Sequence, residues 1–351
     1  MNNTARFVLL SAVAAVEEEE SRASAGAAGA AAAKTRPTLD DYLALSDFKA
    51  FFRVTQQEYN TILPILRLPD PVRTSERDTE TAAVAFLLAL AFLGGARMSA
   101  LKRIFQRSPA SCSRIINTTI DAIHQKWKHL LDINHGVNGL LSPVSLDRYA
   151  KTLSFQGLPL RGVWGYVDGT LFPIARPVRG QRDVYTGWKR IHAIKFQVLS
   201  TPDGLIWLYG PSAGRRNDNF LLNRSQLLPW LRRNSHGPEP GRRVLFVYAD
   251  KGYNTHGRFI AAYKGSFLTQ NQKAFNRKMA SYRIGTEWAI GSVKTLFPRL
   301  DMKRVQRTLR GDVARDIRVA TILRNAVSCV SGNENSQSFH CETPSLSQYF
   351  V

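Results

Sequence analysis

Apolar positions recur at three- and four-residue intervals in the first half of the chain and in short alternating or continuous runs in the second half. The first period is that of a helix and the second that of a strand, which predicts a helical region followed by a sheet-bearing one. Leu39 to Pro71 reads as a helical lead-in with aromatic anchors at Tyr42, Phe48, Phe51, Phe52 and Tyr59, broken at Pro64 and at Pro69-Asp70-Pro71. The stretch "TETAAVAFLLALAFLGG" is apolar on every side, so it reads as a buried helix stopped by Gly94-Gly95. A short helix, "MSALKRIF", follows with Leu101, Ile104 and Phe105 on one face. After the turn "QRSP", Ala110 to Trp127 forms a longer helix with Ile115, Ile116, Ile120 and Ile123 inward.

Short helix, tight turn and longer helix, within about residues 79–128, is a helix-turn-helix-like arrangement. It would place Ser111, Ser113 and Arg114 at the groove-facing start of the second helix, although a three-helix bundle that binds nothing reads the same way. From about Gly157 the texture changes. "RGVWGYVDG" and "TLFPIARP" read as two paired strands, "HAIKFQVLS" as a third, "LIWLYGPS" as a fourth and "RRVLFVYAD" as a fifth. Helices are expected at Asn219–Leu231, His256–Tyr263 and Asn276–Leu296. Hairpins first and strand–helix units afterwards predict an α/β domain, a mixed sheet flanked by helices.

The expected organisation is therefore a disordered segment 1–38, rich in Ala, Gly and Ser with an acidic run, then a helical domain 39–155. An α/β domain 156–330 and a loose polar tail 331–351 complete it. Phe7 to Val16 is apolar enough to resemble a short signal peptide, but Glu17–Glu20 and an Ala/Gly tract follow it, which argues against secretion.

Charge narrows the function. Lys and Arg number 48 against 27 Asp and Glu, a formal charge of +21, so the expected partner is an anion, and nucleic acid is the commonest. Cys112, Cys329 and Cys341 form no CxxC pair and no zinc spacing, which suits a reducing compartment. No apolar run reaches the roughly 20 residues that span a bilayer, so a soluble protein with no membrane partner is expected.

Two chemistries begin with an apolar strand that ends in Asp-Gly-Thr-Leu, as at Asp168 to Leu171. A haloacid-dehalogenase phosphatase needs a second aspartate two residues earlier as its nucleophile. Tyr166 stands there, and a phenol cannot replace that carboxylate. A metal-dependent nuclease instead needs acids from distant segments that converge on two divalent ions about 4 Å apart. Mg²⁺, or Mn²⁺ in its place, is the expected ion, because hard cations prefer carboxylate oxygen.

Candidates stand at Asp168 on the first strand, at Asp250 closing "RRVLFVYAD", and at Glu287 within a helix. Arg283, Glu287, Gly291 and Lys294 are spaced by 4, 4 and 3 and share one helix face. An ordinary surface ion pair between Arg283 and Glu287 would show the same spacing.

Five segments in order carry a resemblance: Val167-Asp168-Gly169-Thr170; "YTGWKRIHAIKFQ"; Arg216-Asn217-Asp218-Asn219; "YADKGY"; and Asn276 with "RIGTEWAIGSVK". Together, over about residues 80–328, the chain resembles the DDE transposases of the PIF/Harbinger superfamily. The resemblance implies an RNase H-like fold, catalytic and metal-binding roles for Asp168, Asp250 and Glu287, and cleavage and transfer of DNA strands. It further implies transposon ends and target DNA as substrates, a nuclear location in a eukaryotic cell, a Myb-like DNA-binding partner and a homo-oligomer. Thirty-six residues separate Asp250 from Glu287, similar to the family's short gap. Arg283, Glu287 and Lys294 match the spacing Arg-x3-Glu-x6-Lys. Two departures stand out: Asn-Asp-Asn around Asp218, an auxiliary metal ligand by resemblance, replaces His-Asp-Ser, and Ala280 stands where bacterial relatives carry Tyr.

Between the first two acids, Arg176, Arg179, Arg182, Lys189, Arg190, His192 and Lys195 are interleaved with Tyr185 and Trp188. Such a mixture suits phosphate contacts with stacking on an exposed base. The alternative is Trp188 packed under the sheet among solvated cations. With Arg283 and Lys294, this tract is the expected DNA-contacting surface. Two further functions fit the same residues: a domesticated transposon-derived DNA-binding protein without turnover, and an RNA-acting nuclease of the same fold.

Overall fold

A computed structural model describes residues 36–351 apart from 240, 242 and 308–310, and gives no side chains for 137 and 138. Most of the segment 1–38 that the sequence marks as disordered lies outside the described residues. The lead-in forms α1 (Leu39–Leu43), α2 (Phe48–Phe52) and α3 (Gln56–Leu66), with capping boxes at Thr38 and Thr55. A two-stranded hairpin follows, β1 (Val72–Arg73) and β2 (Thr79–Glu80).

Next come α4 (Ala82–Leu93), α5 (Met98–Ile104), α6 (Pro109–Trp127) and α7 (Pro143–Phe155). Ser108 and Ser142 cap α6 and α7, each followed by Pro at the first turn, where its missing N–H costs nothing. Helix α4 is buried nearly all round, as its unbroken apolar sequence requires.

The sheet consists of β3 (Val163–Pro173), β4 (Tyr185–Thr186), β5 (Ile191–Ser200), β6 (Ile206–Ala213), β7 (Phe246–Ala249) and β8 (Phe259–Ala261). A helical turn, α8 (Gln181–Val184), precedes β4. Strand β3 is central, antiparallel to β5 and parallel to β7; β8 continues beyond β7, while β4 and β6 both pair with β5. Antiparallel strands first and parallel ones after make a curled mixed sheet. Helices α9 (Asp218–Arg224), α10 (Leu227–Asn234), α11 (Gln270–Leu296) and α12 (Val313–Ser331) flank it, consistent with an RNase H-like fold.

Three expectations need correction. "RGVWGYVDG" and "TLFPIARP" are not two strands but one continuous strand, β3, running straight through Gly169-Thr170. The glycine that reads as a turn serves close approach instead: a Cβ at Gly169 would lie 1.9 Å from Asp218 Oδ1. His256–Tyr263 is not a helix, because pairing along β7 overrides the local pattern and buries Phe259 and Ala261 on alternate positions of β8.

Nor is the segment 331–351 loose. It folds into α13 (Glu334–Ser338) and α14 (Leu346–Tyr349) and buries Phe339, Cys341, Leu346, Tyr349 and Phe350. Five widely spaced apolar residues in a polar stretch show no period, so only the tertiary surface reveals their use.

A buried polar lattice fixes α12 against the sheet. Asn325 bridges β6 through Ile206 N at 3.2 Å and Ile206 O at 2.9 Å, and donates to the Tyr349 hydroxyl at 3.2 Å. Arg324 is wholly buried, donating to Ser292 Oγ at 2.7 Å and to Gly204 O, and burial pulls its guanidinium down to about 10. Such groups are tolerated inside because their donors are met.

Candidate active site

Asp168 and Asp250 are brought together by strand register. Val167 of β3 lies opposite Ala249 of β7 in a parallel pair, so the residues that follow each, Asp168 and Asp250, face the same side of the sheet. Asp250 stands just past the carboxyl end of β7, with Oδ1 accepting from Gly252 N at 2.8 Å. Asp218 approaches from the start of α9, whose N-cap Asn217 accepts from Phe220 N at 2.8 Å. Both neighbouring glycines leave room for it: a Cβ at Gly252 would meet Asp250 Oδ1 at 2.9 Å and Asp218 Oδ2 at 3.5 Å. Side chains at 169 or 252 would therefore push these carboxylates apart.

Glu287 belongs to α11, a helix of 27 residues begun by a capping box at Thr269. Arg283, one turn earlier, links it to the sheet. Its Nη1 donates to Asp168 Oδ2 at 2.6 Å and its Nη2 to Glu287 Oε1 at 2.8 Å. Lys195 of β5, with a side chain 11 % exposed, does the same for the third acid, reaching Asp218 Oδ1 at 2.8 Å and Arg216 O at 3.2 Å. Burial pushes the Asp168 carboxyl up to about 6; Arg283 and the Gly169 N–H pull the other way, while Asp250 and Asp218 raise it further.

Hard oxygen donors in one cradle fit a divalent cation chemically. Asp218 Oδ1 is held by Lys195, while the fully buried Tyr253 hydroxyl, close enough to feel Asp218, Asp168 and Asp250, has no hydrogen-bonded partner. As arranged, no three Asp, Glu, His or Cys groups among the described residues stand close enough to hold an ion. Arg283 and Lys195 hold the positions facing the acids, and Glu287 is turned outward with a side chain 57 % exposed.

The sequence-predicted DNA contacts are distributed unevenly. Arg182, Lys189 and Arg190 are exposed on the segment leading from β3 to β5, and Trp188 is 88 % exposed, so it does not pack under the sheet. Lys195 is buried against Asp218. Lys294 holds Leu171 O at 3.1 Å and Asp301 Oδ1 at 3.3 Å and lies over the Phe172 ring, while Gly291 faces open space rather than a close neighbour. At the start of α6, Ser111 is buried, Ser113 is half-buried, and Arg114 is ion-paired to Asp78 beside the β1–β2 hairpin. Farther along α6, Arg315 of α12 takes Asn117 Oδ1 at 2.8 Å and Asp121 Oδ1 at 2.9 Å.

The roles of two residues of the site escaped sequence reasoning. Asn219 donates to Gly252 O at 2.9 Å and accepts from Asn254 N at 2.8 Å, stapling the turn that carries Asp250. Thr286 pairs with Ser200 at 2.8 Å inside the protein, setting α11 on β5 one residue before Glu287. The Asn-x-Asn spacing around Asp218 carries the signal for Asn217 as an N-cap. Asn219 enters the sequence reading only as part of the Asn-Asp-Asn departure, which does not reveal its hold on the turn. Asn219→Ala should leave the melting temperature within a few degrees yet slow any strand nicking by up to about thirtyfold, since each lost bond is worth about 1 kcal/mol and the turn loses two. An unchanged nicking rate would show that the turn holds itself.

A mixed sheet of this order, flanked by helices, is consistent with an RNase H-like domain. Residues 167–325 match the model of the DDE superfamily endonuclease family, consistent with a DDE-type transposase. Neither a curated protein nor a solved structure shows significant similarity to the chain. That match supports a transposase or nuclease type of function with DNA as substrate, and the superfamily generally uses divalent metals. Among the described residues no helix is long and apolar enough to cross a membrane.

Proposed function

We propose that the protein is a metal-dependent DNA endonuclease and strand transferase of the PIF/Harbinger type, in which Asp168, Asp250 and Glu287 are the catalytic, metal-holding acids and Asp218 assists. The observation that carries this reading is the convergence of Asp168, Asp218 and Asp250 over two glycines, with Arg283 tying Glu287 to the same spot. Two Mg²⁺ or Mn²⁺ ions, when bound, activate a water and stabilise the leaving oxygen of a phosphodiester. The chain's own part is to fix the acids on rigid elements: β3 and β7 set Asp168 and Asp250 by register, and α11 delivers Glu287.

Arg182, Trp188, Lys189 and Arg190 form the outer DNA contact, with cations on phosphates and the indole stacking on a base. Arg283 and Lys294 serve the strand nearest the acids, and Lys195 keeps Asp218 in place. Ser111, Ser113 and Arg114 would reach DNA only by a helix-turn-helix whose start is here engaged with Asp78. We assign residues 39–155 to a helical domain and 156–330 to the nuclease domain, with nuclear action on transposon ends and target DNA, a Myb-like partner and a homo-oligomer.

The direct test is nicking of supercoiled plasmid with Mg²⁺ or Mn²⁺, against a chelator control and the variants Asp250→Asn and Glu287→Gln. Nicking by the wild type alone supports the assignment; nicking by either variant at the wild-type rate overturns it. A second reading, a transposon-derived DNA-binding protein without turnover, is favoured by Arg283 and Lys195, which already pair with Asp168, Glu287 and Asp218. It predicts salt-dependent binding with no nicking by any form.

Replacing Arg182, Lys189 and Arg190 together by Ala should weaken DNA binding and flatten its salt dependence, by roughly 0.9 in the log–log slope for each phosphate contact removed. Filter binding or anisotropy across a salt series measures this. A slope equal to the wild type's would remove the tract from the interface.

A further inference from the structure

Asp168, Glu287 and Asp218 already have cations, and those cations are the protein's own. Arg283 is not a surface partner of Glu287: its side chain is only 18 % exposed and one guanidinium grips both Asp168, at 2.6 Å, and Glu287, at 2.8 Å. Asp168 comes from the central strand and Glu287 from α11, so this single side chain spans the gap between the two elements whose acids the proposed function needs to share an ion. A guanidinium at that place supplies one positive charge and a planar pair of donors that satisfies two carboxylates at once. A divalent ion held by the same two carboxylates would occupy the same position and bring twice the charge. Both cannot sit there.

We propose that Arg283 is an exchangeable latch, occupying the Asp168–Glu287 position until a divalent ion displaces it and then free to grip a phosphate of the DNA. The inference rests on the metal-nuclease reading and adds to it a competition inside the site. In the metal-free chain Arg283 compensates the two acids and keeps them from repelling one another. On metal loading the same guanidinium, one helical turn from Glu287, becomes an unpaired bidentate donor at the edge of the cradle, which is what a phosphate requires. Metal binding and phosphate binding then favour each other, because each removes the competitor that the other must displace.

Mn²⁺ binding to the DNA-free chain tests this without reference to turnover. Free Mn²⁺ is read by electron paramagnetic resonance for wild type, Arg283→Gln, Arg283→Lys and Asp168→Asn. Arg283→Gln should bind Mn²⁺ about tenfold more tightly than wild type. Arg283→Lys, with its charge kept but its fork lost, should fall between them, and Asp168→Asn should lose the site. Equal or weaker binding by Arg283→Gln, with Asp168-dependent binding in the wild type, overturns the latch and leaves the metal site standing. Absence of Asp168-dependent Mn²⁺ binding in every form overturns both.

A measurement on the wild type covers the case in which the variants fold poorly. In a ¹⁵N-labelled chain the Arg283 side-chain Nε–Hε signal should shift as Mg²⁺ is added, with the midpoint of metal binding. A signal unmoved at saturating Mg²⁺ overturns the proposal.

Discussion

Asp168→Asn is expected to abolish plasmid nicking and, at the same time, to raise the thermal stability of the metal-free protein at neutral pH. The first effect follows from the proposed role: an amide cannot hold a divalent ion as a carboxylate does, and losing one metal ligand of a two-ion site should cost at least about a thousandfold in rate. The second follows from burial. The Asp168 carboxyl titrates near 6 in the folded chain against 3.8 when unhindered, so between about pH 4 and 6 the folded state holds a proton that the unfolded state has lost.

Stability therefore falls as pH rises through that window, and above it the ionised Asp168 carries its full cost, roughly 2–3 kcal/mol. Asparagine removes the charge. It should melt a few degrees higher than wild type at pH 7 to 8, with the difference vanishing near pH 4. DNA affinity should be equal or higher, since a negative charge beside phosphate is gone. A variant that nicks normally would refute the catalytic assignment, and one that melts lower at pH 7 would show that the Arg283 contact outweighs the cost of burial.

The other large effect concerns the last residues. Deleting 333–351 removes Phe339, Cys341, Leu346, Tyr349 and Phe350 from the core, uncovers Asn325, and takes away Asn335, whose amide donates to Gly285 O at 2.9 Å, two residues before Glu287. Truncating one buried aromatic residue costs about 3–5 kcal/mol. Several together exceed the 5–15 kcal/mol that typically separates folded from unfolded states. The shortened chain should fail to unfold cooperatively in calorimetry and should aggregate. Tyr349→Ala alone should lower the melting temperature by about 10 °C. A shortened chain that melts like the full one would mean that this segment does not dock in solution.

That segment also shows why the sequence was legible in some places and silent in others. Along α4, α6 and β5 the pattern of side chains is set by each element's own period, so these are legible within a few residues, whereas α11 begins at Gln270, six residues before the expected Asn276. Asp168, Asp250 and Glu287 stand out as candidates because carboxylates at a strand, a strand end and a helix face, in that order, are chemically conspicuous. Local periodicity could not report that β3 runs straight through Gly169, that residues 259–261 are a strand, or that the polar tail docks. Each of these depends on a neighbour distant in sequence: Asp218 above Gly169, β7 beside β8, and α12 beneath Tyr349.

The charge on the chain and the identity of its acids were determined by sequence alone, because composition and residue type need no partner to be defined. Tertiary structure alone decided which cation meets which acid. Arg283 could pair with Glu287 by helix spacing, but its second hold on Asp168, and that of Lys195 on Asp218, arise only when α11, β3, β5 and α9 close around one point. The energy of a charge depends on what surrounds it, and for these side chains the surroundings are assembled only by the fold.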